Sequence, residues 1–210
     1  VPSFPQNVHV EVTNHCNLSC PMCVFYKQSR AKGFMNFKLF KKIVNQCVGK
    51  RGLGKMALMG LGEPFLHPEL IQMSRYAKAH KIYHVFTSTN ATLLGEKEAK
   101  EIISEPGFDL LAISLDGAFK NTYENIRRGA NFDEVIANIM RFIDMRRHFK
   151  KKRPRLVLQF LVMQENYYEK DVFVEFWKDK LDSQDTILLR DVDTFGGQVS
   201  DHRLISQVPQ

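Results

Sequence analysis

The chain has 210 residues, 44% of them hydrophobic, and a formal net charge of +7. That length is enough for one domain with a sizeable core, and the composition is ordinary for a soluble globular protein. No apolar run approaches the roughly 18–20 residues that span a bilayer, and the opening Val-Pro-Ser-Phe-Pro-Gln lacks the charged-then-apolar pattern of a signal peptide. A cytoplasmic protein without membrane association is therefore expected.

The chain alternates short β-like runs with longer helical patterns. Asn7–Thr13 alternates apolar and polar residues as a strand does, and a cysteine-rich loop follows it. Asn36–Val48 has helical spacing of Phe37, Phe40, Ile43, Val44 and Cys47. Lys55–Leu61 reads as a buried strand, Pro68–His80 as a helix opened by proline, Tyr83–Ser88 as a strand and Gly95–Ile103 as a helix stopped by Pro106 and Gly107. Leu110–Leu115 is an apolar strand, and Phe132–Phe149 is a long amphipathic helix. Leu156–Met163, Val172–Lys180 and Thr186–Asp191 complete the pattern as strand, helix and strand. The positive excess sits in residues 38–51 and 141–155, read as polar helix faces with the loops that follow. No aromatic residues interleave with these charges as a base-stacking surface requires, so nucleic acid is not the expected partner.

Six strands joined by helical crossovers imply a parallel sheet covered by helices. Six units fall short of the eight-stranded barrel of about 250 residues, so the expected fold is α/β, a partial (β/α)6 barrel with a wide mouth. Ligands of such folds bind at the C-terminal ends of the strands. The polar and turn-forming residues fall there: the cysteine loop after the first strand, Gly60-Leu61-Gly62-Glu63-Pro64 after the second, Thr87-Ser88-Thr89-Asn90 after the third, and Ser114-Leu115-Asp116-Gly117 after the fourth.

Cys16, Cys20 and Cys23 fall within eight residues, and Cys47 stands apart on an apolar helix face, where a free cysteine serves as a small hydrophobe. Thiolates ligate both zinc and iron–sulfur clusters. A zinc site needs a fourth ligand, for which His15 or His67 is available. A [4Fe–4S] cluster held by three cysteines leaves one iron open to a cosubstrate. Asn14, Asn17, Ser19 and Pro21 suit the turns that bring the sulfurs together.

The Cys-x3-Cys-x2-Cys spacing after a first strand resembles the signature of the radical SAM superfamily, and the later strand ends agree with it. Gly62-Glu63-Pro64 resembles that family's Gly-Gly-Glu-Pro motif, with Leu61 in place of the first glycine. Thr89-Asn90-Ala91 is similar to its Thr-Asn-Gly. Ser114 to Gly117, with Tyr123 and Ile126-Arg127-Arg128-Gly129, looks like the corresponding region of the SPASM/twitch subgroup, which includes peptide maturases and sugar or cyclitol epimerases and dehydrogenases. The resemblance runs from about Val8 to Gly197 and implies a radical SAM core over residues 1–197, with 198–210 the start of a C-terminal auxiliary region.

Several roles follow from the resemblance. Cys16, Cys20 and Cys23 would ligate three irons, and the fourth would take S-adenosylmethionine (SAM), which is cleaved to a radical that abstracts hydrogen from a peptide or a small polyol- or sugar-like substrate. A one-electron reductant such as flavodoxin or ferredoxin would supply the electron. Gly62, Glu63 and Pro64 would receive the SAM amino group, Ser88 and Asn90 the ribose, and Ser114 and Asp116 the ribose or methionyl carboxylate. Arg127, in competition with Arg128, would clamp that carboxylate, and Met22 would pack near adenine with Phe25 or Tyr26. Leu189 would line the adenine pocket or the core. Glu63 and Arg127 are thus the expected catalytic pair, both through SAM. With Cys47 the sole remaining cysteine, the chain has ligands for one such cluster. An RNA-modifying radical SAM enzyme and a non-catalytic Fe–S or zinc module are the alternatives.

Overall fold

A computed structural model describes residues 4–50 and 53–191. The expected boundary at residue 197 and the tail beyond it lie outside the described residues. Six parallel strands form one sheet in chain order: β1 (Asn7–His9), β2 (Lys55–Ala57), β3 (His84–Thr89), β4 (Leu110–Ser114), β5 (Arg155–Val162) and β6 (Thr186–Asp191). Helices α1 (Phe37–Cys47), α2 (Leu70–Ala79), α3 (Glu96–Ser104), α4 (Lys120–Ile126), α5 (Phe132–His148) and α6 (Lys170–Lys178) fill the crossovers. This is the α/β partial-barrel arrangement expected from the strand and helix periodicities.

The helices form where sequence and capping agree. Asn36 caps α1, its Oδ1 accepting from the Lys38 amide at 2.7 Å, and Phe40, Val44 and Cys47 line the buried side one or two turns apart. Gly49, with φ +69°, takes the left-handed conformation just past that helix. Asn131 caps α5; Asp133 and Glu134 occupy its first turn and basic residues its last, both favourable to the helix dipole.

Strand alternation sorts the two faces of the sheet. Val85, Thr87, Leu111, Ile113, Leu158 and Phe160 are fully buried against the helices. The intervening Phe86, Ser88, Ala112, Ser114 and Gln159 line the concave side. Cys47 is buried in the main core, as its helical position implied.

Four features differ from the sequence reading. β1 and β2 are shorter ladders than expected, because beyond them the chain bends away into the site loops. Single backbone bonds, Val10 N to Ala57 O at 2.8 Å and Leu58 N to Phe86 O at 2.8 Å, carry the pairing one residue further. Helix α4 has only Tyr123 and Ile126 buried along seven residues, too short a stripe to show as a period. Finally, the basic run after residue 141 is not wholly a solvated face. Arg146 is fully buried and donates to Asp182 (2.7 Å), Asp185 and the Pro154 carbonyl (2.8 Å).

Buried carboxylates thus fasten the N-terminal ends of the strands. Asp185 also accepts from the Leu156 amide at 2.7 Å, and Asp109 accepts from the Val85 amide (2.9 Å) and Lys78 (2.8 Å) and pairs with Arg153. The opposite, C-terminal ends are left to loops. Among the described residues, no helix is long and apolar enough to cross a membrane.

Candidate active site

The cysteine loop has its own small core. Leu18, Cys20, Met22 and Val24 pack with Ile126 of α4 and Met163 after β5. This apolar footing makes a loop of polar composition rigid, and it turns Cys16 and Cys23 partly outward. The loop is braced from two further sides. Ser19 N donates to Arg128 O at 3.0 Å, and Asn17 and Asn90 exchange a side-chain bond of 3.0 Å that joins the loop to the end of β3. Asn14 staples the returning chain through Ala31 O (2.9 Å) and the Gly33 amide (2.7 Å).

Cys16, Cys20 and Cys23 open onto a cavity of about 490 Å³ at the C-terminal strand ends. Gly62, Glu63, Ser88, Asn90, Ser114 and Arg127 line the same cavity, so residues from four successive strand ends converge on one place. Pro64, Asp116 and Met22 stand behind this lining. Pro64 opens a 3-10 turn, Asp116 is fully buried beneath Arg127, and Met22 belongs to the loop's apolar footing rather than to the cavity wall. Phe25 does line the cavity. Leu189 is 39% exposed, and its strand neighbour Arg190 takes the cavity side.

Glu63 is 3% exposed. Its Oε1 accepts from Thr89 Oγ1 (2.7 Å) and the Phe65 amide (3.1 Å), and its Oε2 accepts from the Asn90 amide (2.8 Å). A carboxylate offers about four acceptor positions. Three are filled from within, which fixes the group and leaves room for one more donor in the cavity. Burial pushes the Glu63 carboxyl above the ordinary carboxylate range, against these bonds and the nearby Arg127 charge. Gly62 is required by close approach: a Cβ there would lie 2.4 Å from Thr13 O and 2.5 Å from His15 O. Ala91, where the similar motif has glycine, sits at φ +59°.

Arg127 rather than Arg128 faces inward; Arg128 is exposed and bonds the Asn125 carbonyl. The Arg127 guanidinium donates twice to Asp116 Oδ2, through Nε at 2.7 Å and through Nη2, and its Nη1 lies 3.8 Å from Cys20 Sγ. Burial raises the Cys20 thiol, and the Arg127 charge works in the opposite direction. Burial also raises Cys16, with Glu63, Cys20 and Cys23 adding to it as neighbouring negative charges.

The donor set suits a cluster better than a single zinc. Of the two histidines available as a fourth ligand, His67 has both ring nitrogens engaged, with Met35 O at 2.9 Å and the Glu69 amide at 3.0 Å. His15 stacks on Phe34. Among the described residues, no three His, Cys, Asp or Glu side chains converge as one metal ion needs. In an Fe–S cluster each thiolate binds its own iron, so separated sulfurs facing one cavity fit it.

Sequence reasoning named Thr89 within a motif and Asn17 as a turn former but gave neither a part in bracing the site, and it did not name Gln159 or Arg190. The parts of Thr89 and Asn17 rest on their bonds to Glu63 and Asn90. Gln159 and Arg190 carry no local pattern; strand alternation places them on the concave side only once the register is known.

The family description "Radical SAM superfamily" matches residues 10–163. A "Tungsten-containing aldehyde ferredoxin oxidoreductase cofactor-modifying protein" of Pyrococcus furiosus is 30% identical over 161 residues, covering 76% of this chain and 44% of that protein. A "GTP 3',8-cyclase" of Lactiplantibacillus plantarum is 32% identical over 158 residues, covering 72% and 45%. The chain therefore spans less than half the length of these relatives. Among solved structures, Streptococcus suis SuiB bound to precursor peptide SuiA superposes with a TM-score of 0.77 at 17% identity, over 99% of this chain and 43% of SuiB. That likeness is one of fold.

Proposed function

The chain belongs to the Radical SAM superfamily, a family that uses a [4Fe–4S] cluster and SAM, and we propose that Cys16, Cys20 and Cys23 each bind one iron of such a cluster. When bound, the cluster supplies the electron that cleaves SAM into methionine and a 5′-deoxyadenosyl radical, which takes a hydrogen atom from the substrate. The observation that carries this reading is the opening of all three cysteines, with Glu63, onto one cavity at the C-terminal strand ends.

The chain's own residues have separable tasks in this reading. Glu63 holds the SAM ammonium through its one open acceptor position. The Gly62 main chain lies against residues 13–15 and sets the distance from Glu63 to the cysteine loop. Ser88 and Ser114, half-buried on adjacent strands, offer hydroxyls to the ribose or carboxylate, and Asn90 ties the loop to β3. The apolar footing around Met22 and Cys20 keeps water from that side of the site.

The substrate is a peptide or a small molecule. Fold likeness to SuiB, solved with a precursor peptide, supports the first; similarity to a GTP 3',8-cyclase supports the second. The concave wall of Phe86, Ala112 and Gln159, open as far as Arg190, suits either. A flavodoxin or ferredoxin supplies the electron, and the cytoplasm is the compartment. Anaerobic reconstitution with iron and sulfide, followed by a strong reductant and SAM, tests the proposal. A brown protein that releases 5′-deoxyadenosine and methionine is expected; a chain that takes up only zinc, or that leaves SAM intact once reduced, defeats it.

A further inference from the structure

Arg127 has more donors than its ion pair uses. A guanidinium carries five N–H groups. Nε and Nη2 each give one N–H to Asp116 Oδ2, which leaves one proton of Nη2 and both of Nη1, and Nη1 stands 3.8 Å from Cys20 Sγ. The mount is rigid. Asp116 is fully buried, its other oxygen accepts from the Leu161 amide at 2.8 Å, and its carbonyl accepts from Asn166 Nδ2 at 3.1 Å. The next two residues press on the same loop: Arg128 O accepts from Ser19 N, and Gly129 lies against Leu18.

A buried ion pair is a poor source of stability, since desolvation offsets most of the attraction. The same three segments would be held as well by apolar packing, which already surrounds Cys20. What packing would not supply is an N–H donor directed at a ligand sulfur. Asp116 Oδ2 takes the Nε–Nη2 edge of the guanidinium, and the Nη1 corner is the part that meets the sulfur.

We propose that Arg127, fixed by Asp116, is a positioning residue for the Cys20 thiolate: it hydrogen-bonds the ligand sulfur and raises the reduction potential of the cluster. The inference rests on the reading of the three cysteines as cluster ligands. Reduction adds negative charge, and a donor on a ligand sulfur stabilises that added charge. Asp116 cancels the pair's net charge but lies on the far side of the guanidinium, so the positive end faces the sulfur.

The test uses the reconstituted full chain, first counted for iron and then titrated with EPR detection of the reduced cluster. Arg127→Gln should move the midpoint to more negative potential at unchanged iron content. Arg127→Lys, which keeps the charge and loses the fork, should fall between Gln and the unaltered chain. Arg128→Gln, on an exposed neighbour, should leave the midpoint where it was. In the unaltered chain grown with 15N-arginine, pulsed EPR should detect a weak arginine nitrogen coupling, a reading that needs no variant to fold; in Arg127→Lys that coupling should be gone. A chain that loads the cluster but shows no arginine coupling, or an iron-replete Arg127→Gln with an unshifted midpoint, overturns the inference alone. A chain that takes up no cluster overturns the parent reading and this one with it.

Discussion

The Asn90 main-chain amide donates to Glu63 Oε2 at 2.8 Å, so the loop after β2 is locked to the end of β3 through a buried carboxylate. Thr89 Oγ1 and the Phe65 amide hold the other oxygen, leaving one acceptor position. Glu63→Gln preserves the shape and removes the charge. In the proposed role it should weaken SAM binding by about 2 kcal/mol, roughly 30-fold, the scale of a hydrogen bond to a charged group. Calorimetric titration of SAM into the cluster-loaded chain measures this, with iron content as control. Affinity within a factor of two of the unaltered chain would rule out Glu63 as the ammonium acceptor.

Gly62 is the pivot of that loop. A methyl group there meets backbone oxygens of Thr13 and His15, neither of which is the tip of a flexible side chain. Gly62→Ala should therefore displace the start of the cysteine loop and lower both cluster retention and melting temperature. Gly33→Ala, where nothing lies within 4 Å of the new methyl, should do neither. Equal iron retention in the two variants would show that the loop tolerates the shift.

Much of this was legible because it is local. Strand alternation, helix spacing and the clustering of polar residues at strand ends are properties of neighbouring residues, and they place Cys16, Glu63, Asn90 and Ser114 at one end of the sheet. What was not legible depends on partners distant in the chain. Arg127 and Arg128 are adjacent and alike; only Asp116, buried between β4 and β5, decides which turns inward. Met22 was read beside its cysteines, but Ile126 and Met163 draw it into the loop's footing. Arg146 sits in a run of basic residues that looks solvated until Asp182 and Asp185 arrive from the other side of α6.

The cysteines divide by task. Replacing any one of Cys16, Cys20 or Cys23 by alanine should abolish the reconstituted cluster, read as loss of iron and of the brown absorbance. Cys47 lies in the main core, and burial raises its thiol, so Cys47→Ala should leave iron content intact and cost stability alone, roughly 1 kcal/mol for a small buried side chain. Loss of iron from Cys47→Ala at unchanged melting temperature would give that residue a part in the site.

Arg146 offers the sharpest test of what holds the sheet. It is fully buried, its Nε lacks a hydrogen-bond partner among the described residues, and its charge is balanced by Asp185 and, nearer the surface, Asp182. Asp185 also bonds the Leu156 amide at the start of β5, so it couples that strand to the approach of β6. Asp185→Ala leaves a buried guanidinium underpaired and should cost about 3–5 kcal/mol, read as a lower urea midpoint. Removing both charges, with Arg146→Met and Asp185→Asn, keeps an acceptor for Leu156 and should recover most of the loss, because neither charge is then stranded. The clamp lies at the N-terminal strand ends, away from the cavity, so the double variant should still load its cluster. If the double variant were no more stable than Asp185→Ala, the cost would lie in lost packing rather than in an unpaired charge.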